Sequence, residues 1–444
     1  MYIIKSQKCS LLWMLYPAFL LMAGTVLADN SSAKSTASKT DHSVSGKSWA
    51  LKDIIRRVYD YAPEVNAMKQ LIKAKYSNYK QAGKWPNPVL EFQSDNRLEK
   101  SGVRNGYQTN DVAVSQSLSL TGRYAKKKKI AFTEYQHSLE NGKWQRLKLE
   151  AKASGLFYAM QIAKAKLVLA KTRLAESTAL QTIGRRRSRA GDLSRFQRDR
   201  LNIVREKSHQ EVLFLTTQYN DAKNQLLRFL RVSENTRFST LSVKFDLVTP
   251  TKVNTDKVIS THPKFRMIKL RLIQKRQNLS LARSKRLGDI TVRVYQETDE
   301  FNNREDKVTG VGISVPLPIW NTRRHSVKSA KAFLERSRYS AKFVERDLRS
   351  DLASRSRHLK HLIIQIEHYR RTVLEPAKRI FNLSKRRFRI GDTGILILVD
   401  TINTYFEATN QYLTLVEAAL KESVKYRLAS GKLILPNGLK MPGK

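Results

Sequence analysis

Cysteine and long apolar runs are both scarce in this chain of 444 residues. The one cysteine, Cys9, lies in a segment that we expect to be removed on export, so the mature chain would have no disulfide bond, no thiol nucleophile and no thiolate metal ligand. No stretch after residue 28 approaches the about 18 uninterrupted apolar residues of a membrane-spanning helix. Any later membrane crossing would therefore have to use β-strands.

Acidic residues are also few. The chain has 83 Lys and Arg residues against 38 Asp and Glu residues, which gives a formal net charge of +45. A surplus of this size indicates a nucleic acid or an anionic membrane surface as a partner. The densest basic cluster is formed by residues 126–129, four consecutive lysines.

Motifs of enzyme chemistry are missing as well. The sequence contains no glycine-rich loop for binding phosphate, no nucleophile elbow and no HExxH zinc motif. We therefore expect no catalytic residue, no cofactor and no bound metal ion.

The first 48 residues have the composition of targeting and spacer segments. Lys5 and Lys8 precede an apolar run that ends at Val26-Leu27-Ala28, which predicts a secretory signal peptide over residues 1–28. The shortness of the apolar run argues against the alternative, an uncleaved membrane anchor. Residues 29–48 are rich in Ser, Thr, Lys and Asp and are predicted to form a flexible leader.

Residues 49–240 form the first of two predicted repeats. Apolar residues recur at helical spacing up to about Gly83, and the prolines that follow end that helix. Residues 89–120 then alternate as two strands, Val89 to Asn96 and Asp111 to Leu120, joined by a polar loop. A proline-free helical pattern runs from Gly122 to about Arg189, which is ~100 Å at the usual rise per residue, and a reversal follows at Gly191. Its heptad-type spacing predicts lengthwise packing on other helices.

Residues 241–444 repeat this order at an offset of 200 residues, so that Pro263 matches Pro63. Alternating apolar residues predict a second strand hairpin over residues 289–318, with a polar loop from Asp299 to Lys307. Another long helical pattern leads to a second reversal at Gly391. We expect Pro376 to start or kink the last helical segment before it.

Both reversals carry the same local signal. Residues 186–192 read Arg-Arg-Ser-Arg-Ala-Gly-Asp, and residues 386–392 read Arg-Arg-Phe-Arg-Ile-Gly-Asp. Glycine tolerates the left-handed conformation that ends a helix, and polar residues after it can cap the next helix. Each segment is therefore predicted to be a tight turn between two helices.

The predicted strands are amphipathic. In the returning strand of the first hairpin, Val112 and Val114 fall on one face, whereas Asp111 and Ser115 fall on the other. Each strand has about 8–10 residues, which is the length of a tilted transmembrane strand.

These features together resemble the TolC-type outer-membrane efflux proteins, and most of all the heavy-metal branch of that family. The likeness covers almost all of the chain after the leader. It rests on the Trp-Pro-Asn-Pro segment at residues 85–88, the strand ends at residues 115–123 and 314–320, and the two Gly-Asp reversals.

The resemblance implies a mainly α fold with β, in which long helical hairpins form a periplasmic α-barrel. Each protomer of a homotrimer would give four strands to a 12-stranded barrel. A closed barrel of this kind is also expected because the unpaired backbone N–H and C=O groups at the edges of a four-stranded sheet are too costly to expose to lipid. The implied location is the cell outer membrane, with an extension into the periplasm.

The implied function is that of a passive conduit in a tripartite efflux system that exports small molecules or metal ions. The expected partners are a periplasmic adaptor (membrane fusion) protein, an inner-membrane transporter and outer-membrane lipid. A type I protein-secretion outlet is the main alternative, because it would use the same conduit with another inner partner. Nucleic-acid binding fits the charge alone, and an exported chain has little access to DNA, so we expect no nucleic acid.

The resemblance also implies site residues. The reversals would be the periplasmic tip that meets the adaptor, and Asp400 would be a carboxylate of the entrance gate. Ile397 stands where family members often carry another acid, so a double acidic ring is not expected. The candidate adaptor contacts are Arg187, Arg189, Gly191, Asp192, Arg387, Arg389, Gly391 and Asp392.

Several of these residues also have a simpler structural interpretation. Cations near the end of a helix also interact favourably with its dipole, and Asp400 could be an ordinary solvated carboxylate. His358, His361 and His368 share one predicted helix and could bind a transition metal, but no Cys or paired carboxylate near them completes a site. An exposed polar face is therefore the favoured reading of these histidines.

Overall fold

The computed structural model describes residues 48–97, 107–239, 254–301 and 304–435, and the structural statements below concern these residues. The predicted signal peptide and nearly all of the leader lie outside them. The predicted repeat boundary at residue 240 also borders a range that is not described.

The described chain is mainly helical with one small sheet, as the sequence predicts. The elements of the first half are α1 (Leu51–Tyr61), α2 (Pro63–Gln81), β1 (Val89–Arg97), β2 (Tyr107–Leu118), α3 (Arg123–Arg189) and α4 (Arg195–Leu230). Those of the second half are α5 (Thr255–Thr261), α6 (Pro263–Ser284), β3 (Ile290–Phe301), β4 (Arg304–Ser314), α7 (Arg324–Tyr369), a π-helical turn (Arg370–Leu374), α8 (Glu375–Arg389) and α9 (Ile395–Ser430).

Prolines and glycines set many of the helix ends. Pro63 and Pro263 stand in the first turn of α2 and α6, where a missing N–H costs no hydrogen bond. Gly122 before α3 and Gly431 after α9 have φ values of +63° and +68°, a region that glycine enters without steric cost. Arg323 before α7 adopts the same region, with φ +54°, although it carries a side chain.

The long helices pack lengthwise on one another. α3 runs beside α4, α6 and α9, and α7 runs beside α6 and α9. One large cluster of buried apolar side chains joins α3, α7 and α9 through Phe157, Leu359 and Val416. A second cluster, which includes Phe388 and Leu398, lies nearer the reversals. Tertiary packing of this kind, rather than helix propensity, supplies most of the stability of such helices.

Pro376 interrupts the hydrogen-bonding of the helical run but does not end it. Proline has no N–H to donate and its ring crowds the preceding turn. The chain widens the turn at Arg370–Leu374 into a π-helix, and Glu375 donates its N–H to the carbonyl oxygen of Arg370. The helical run therefore continues from α7 through this turn into α8, and Pro376 stands in the first turn of α8, where the sequence predicts the start or a kink of the last segment.

The four strands form one antiparallel sheet in the order β1-β2-β3-β4. The predicted polar loop of the second hairpin, Asp299 to Lys307, is wrong in extent, because Asp299 pairs with Asp306 inside the ladder. Charged residues at the exposed end of a hairpin remain hydrated while their backbones pair, so polarity alone misplaces the strand ends. β2 likewise begins at Tyr107 rather than at the predicted Asp111.

Candidate conduit surfaces

The sheet exposes its apolar face. Leu90 and Phe92 of β1 are 72% and 71% exposed, and Val311 and Ile313 of β4 are both 69% exposed. The register aligns them in cross-strand rows, with Leu90 opposite Val114, Val114 opposite Val294 and Val294 opposite Val311. A contiguous exposed apolar face of this kind marks a surface that contacts lipid or another protein.

The opposite face of the sheet is polar. Arg293 of β3 lies between two carboxylates, with its Nε 3.4 Å from Glu91 Oε2 and its Nη2 donating a hydrogen bond to Asp111. Ser115 Oγ donates to Glu91 Oε1 over 3.0 Å. Tyr295 lies across Gly310, where an added Cβ would stand 2.5 Å from the phenol ring. The sheet is therefore apolar on one face and polar on the other, an alternation also found in strands that line a water-filled lumen in lipid.

The sheet has two open edges. In the part of the chain that the structure describes, β1 is hydrogen-bonded to β2 alone and β4 to β3 alone. The outward backbone N–H and C=O groups of these strands would be costly to bury in lipid without partners.

The two reversals have the same backbone geometry. Gly191 and Gly391 have φ values of +81° and +85°. The N–H of Asp192 donates to the carbonyl oxygen of Arg187 over 2.9 Å, and the N–H of Asp392 donates to that of Arg387 over the same distance. These bonds satisfy carbonyl groups that a helix end would leave unpaired.

The arginines of the reversals divide into two groups. Arg187 is half-buried, and its Nη1 donates to the carbonyl oxygen of Phe388 over 3.5 Å, so it joins the two reversals. Lys385 pairs with Glu176 of α3 over 2.6 Å. Arg189 and Arg389, in contrast, are exposed at the ends of their helices. Arg189 and Arg389 can therefore meet a partner without loss of an internal contact, whereas Arg387 pairs with Asp392, with 3.6 Å between its Nε and the Oδ2 of Asp392.

Asp400 is exposed on the first turns of α9, beside the exposed Ile397. Three residues further along, Asn403 accepts a hydrogen bond from Arg173 Nη2 over 2.8 Å. The Nη1 of Arg173 donates to Glu211 of α4 over 3.0 Å. Arg173 therefore holds α3, α4 and α9 together near the predicted gate, a role that no local sequence pattern indicates.

A buried carboxylate in the middle part of α3 clamps the C-terminal segment. Glu150 of α3 is 2% exposed and accepts hydrogen bonds from the hydroxyl of Tyr59 and from the N–H of Ile434 (2.6 Å) and Leu435 (3.3 Å). Arg146 donates to the carbonyl oxygen of Leu435 over 3.2 Å. Burial, and next the bond to Glu150, raise the pKa of the Tyr59 hydroxyl.

His262 secures the junction between α6 and α9. Its Nδ1 accepts the N–H of Lys264 over 3.1 Å, so its Nε2 carries the proton and donates to the carbonyl oxygen of Leu428 over 3.1 Å. Burial lowers the pKa of the imidazole and favours this neutral form.

The three histidines of α7 do not converge. His358, His361 and His368 are all exposed, and His358 Nδ1 lies 3.6 Å from Glu422 Oε1. Among the described residues, no group of three His, Cys, Asp or Glu side chains could hold a metal ion. In that same part of the chain, no helix is long and apolar enough to cross a membrane.

Comparisons with known sequences agree with this geometry. Residues 255–432 match the family described as Outer membrane efflux protein. The chain is 23% identical over 261 residues to the cobalt-zinc-cadmium resistance protein CzcC of Cupriavidus metallidurans. That alignment covers 58% of this chain and 61% of CzcC, so the chain spans about three fifths of this relative's length.

Solved structures share the fold. A CusC structure, from work on its folding and transmembrane channel formation, superposes with a TM-score of 0.73 at 14% identity and covers 86% of this chain and 91% of its own. The outer membrane protein VceC of Vibrio cholerae gives a TM-score of 0.69 at 13% identity and covers 86% and 96%. Residues 255–432 thus carry the sequence pattern of the Outer membrane efflux protein family, and the described chain has the fold of outer-membrane channels of known structure.

Proposed function

We propose that three copies of this chain form a passive conduit through the outer membrane, as the outer-membrane component of a tripartite efflux system. The observation that carries this proposal is a sheet with an exposed apolar face and two open edges. β4 of one copy would pair with β1 of the next, so that three sheets of four strands close into a 12-stranded barrel without edges.

The inner surface of that barrel would be the polar face of the sheet. Arg293, Glu91 and Asp111 would then border water, where charged side chains remain hydrated. Below the barrel, the long helices would enclose a periplasmic tunnel, since α3 alone spans ~100 Å at 1.5 Å per residue. Cargo would cross without chemistry, and an inner-membrane transporter would supply the energy through a periplasmic adaptor.

The cargo that we propose is small molecules or metal ions. The relative CzcC is named for resistance to cobalt, zinc and cadmium, which supports metal ions. A passive conduit needs no preformed metal site, so exposed histidines on α7 are compatible with this cargo but are not required for it.

The gate of the proposed conduit is the helical end that carries the reversals. Asp400 would face the entrance, and the bonds of Arg173 to Glu211 and Asn403 would hold the helices in the closed arrangement. Opening requires those helices to separate, so loss of these charge-assisted bonds should favour the open state.

Replacement of Arg173 by alanine tests the conduit and its gate together. The wild-type protein in a planar bilayer is expected to carry a small ion current, and Arg173→Ala to raise it by about tenfold, because the two bonds to a charged donor are lost. Arg200→Ala, which removes an exposed arginine of α4, is the matched control and should leave the current unchanged. Bilayers with no current from either variant would contradict the proposal.

The exposed arginines of the reversals are our proposed adaptor contacts. Reversal of Arg189 and Arg389 to glutamate is expected to weaken capture of the adaptor by about tenfold, because charges at the edge of an interface steer association. Arg187 and Arg387 belong to the same surface, but Arg187 also binds Phe388, so its reversal would disturb the tip itself. The pair Arg346→Glu and Arg357→Glu on α7 carries the same charge change elsewhere. If the adaptor were captured equally well by both double variants, the proposal that Arg189 and Arg389 contact the adaptor would be contradicted.

A further inference from the structure

A ring of cations lies directly below the apolar face of the sheet. The four segments that connect strands to helices at this end are residues 80–88, 121–133, 281–289 and 315–334, and we call them the basic collar. Asp289 is the one acid in these segments, against 14 Lys and Arg residues. The basic residues are Lys80, Lys84, Arg123, Lys126, Lys127, Lys128, Lys129, Arg283, Lys285, Arg286, Arg323, Arg324, Lys328 and Lys331.

All four segments reach the same end of the sheet. Val89 at the start of β1 pairs with Ser115 near the end of β2, and Leu118 pairs with Ile290 at the start of β3. Thr291 pairs with Ser314, the last residue of β4. The strand ends that lead into the helices therefore meet on one level, and the basic collar follows that level.

The cations of the collar have almost no acidic partners. Arg123 pairs with Asp289, and it is the one member of the collar that forms an ion pair within the part of the chain that the structure describes. The first turns of α3 and α7 contain no acid and carry cations instead. Cations at this end of a helix oppose its dipole, so an external anion would relieve both costs.

The collar side chains are held at the surface by aromatic rings and glycine. Lys127 Nζ lies 5.1 Å from the ring centre of Tyr124, and Lys128 Nζ lies 5.8 Å from that of Tyr79. The stem of Lys128 lies on Gly83, where an added Cβ would stand 2.7 Å from its Cδ. The apolar stems of Lys127 and Lys128 therefore lie along the protein surface, as lysine stems do at a membrane interface. The ammonium group of the neighbouring Lys126 donates to the carbonyl oxygen of Thr121 over 3.1 Å.

Two exposed tryptophans mark the same level. Trp85, beside β1, is 55% exposed and stacks near Tyr124 with ring centres 5.6 Å apart, and Trp320, beyond β4, is 94% exposed. Tryptophan is enriched where the hydrocarbon core of a membrane meets the lipid headgroups.

The residue before α7 has the same left-handed backbone as the residue before α3. The first is Arg323, with a φ of +54°, and the second is Gly122, with a φ of +63°. An arginine is therefore present there in spite of backbone strain.

We propose that the basic collar binds the phosphate groups of anionic lipids in the leaflet that borders the periplasm. The apolar face above it contacts the acyl chains, the two tryptophans lie at the boundary, and the lysines and arginines lie at the depth of the headgroups. This surface depends on the outer-membrane location of the chain and not on the cargo of the conduit.

Quenching of tryptophan fluorescence by brominated lipid tests the proposal on the full mature chain. The protein is placed in vesicles of equal phosphatidylglycerol and phosphatidylethanolamine, with bromine on one lipid or on the other. We expect phosphatidylglycerol to occupy the collar with about fivefold preference, and we expect about 1 M salt to abolish that preference.

Substitution of the lysines at residues 126–129 tests how much of the lipid preference they supply. Conversion of the four lysines at residues 126–129 to glutamine should reduce the preference to less than twofold. The control converts four exposed lysines outside the collar, Lys171, Lys207, Lys360 and Lys378, and should keep it. Arg323→Gly removes a collar cation and relieves the backbone strain, so it should lower the preference without loss of thermal stability.

Equal quenching of the wild type by both lipids would overturn the proposal, as would a four-lysine variant that kept the full preference. If that variant instead lost binding to a fluorescent DNA duplex in detergent, with its lipid preference unchanged, the collar would be a nucleic-acid surface. Failure of the conduit itself would appear separately, as absence of ion current from wild-type vesicles.

Discussion

Val114→Arg is expected to remove most of the protein from the membrane-inserted, three-chain state. Val114 lies near the middle of the apolar face, opposite Leu90 on one side and Val294 on the other. Arginine on the lipid face of a transmembrane strand costs about 2–4 kcal/mol at the bilayer midplane. In the proposed trimer, three copies would place three arginines in one barrel, so the assembly would lose about 6–12 kcal/mol.

The measurement is the fraction of outer-membrane protein that migrates at three-chain size on an unheated gel. Gln93→Arg is the matched control, because Gln93 lies on the polar face of β1 and is opposite Asp111 in the register. That variant places the same side chain beside carboxylates in water and should assemble normally. Equal assembly of the two variants would mean that the apolar face does not contact lipid.

Glu150→Ala is expected to produce the second large effect, a loss of about 3–5 kcal/mol of stability at the C-terminal clamp, because each buried donor left unpaired costs about 1–3 kcal/mol. The substitution leaves the hydroxyl of Tyr59 and the N–H groups of Ile434 and Leu435 without their shared acceptor. Three unpaired donors at a buried site are far more costly than the loss of a hydrated pair.

Trypsin cleavage after Lys432 reports on this clamp, because Lys432 immediately precedes the residues that Glu150 holds. Cleavage should accelerate by about a hundredfold or more in Glu150→Ala, as the segment opens without global unfolding. Tyr59→Phe removes one of the donors and should have about 1 kcal/mol of effect. Glu417→Ala on α9 removes a less buried carboxylate and should leave cleavage at Lys432 unchanged. Unchanged cleavage in Glu150→Ala would show that the apolar contacts of Ile434 hold the segment alone.

Local signals in the sequence were sufficient for most of the fold. Helical periodicity without proline predicted α3 to within one residue of its start and to its final residue, Arg189. The left-handed conformation of Gly191 and Gly391 followed from the need to end one helix and begin another. Strict alternation placed Val112 and Val114 on one face of β2, and the structure exposes both. Each of these predictions depends on residues close together in the chain.

Features that depend on distant residues could not be predicted. The bond from Ile434 to Glu150 spans 284 positions, and the bond from Arg173 to Asn403 spans 230. No periodicity in either segment marks these partners. The polar face of the sheet shows the same limit, because Glu91 and Arg293 are unremarkable charged residues until the register brings them together. The roles of Asp400 and of the tip arginines stay predictions, and the adaptor-capture experiment tests those of Arg189 and Arg389.

The number of chains in one detergent-solubilised particle tests the central claim most directly. A sheet with an outward apolar face and open edges at β1 and β4 requires neighbours to complete it. Light scattering corrected for bound detergent should give the mass of three mature chains. A particle of one chain, soluble without detergent, would contradict the account.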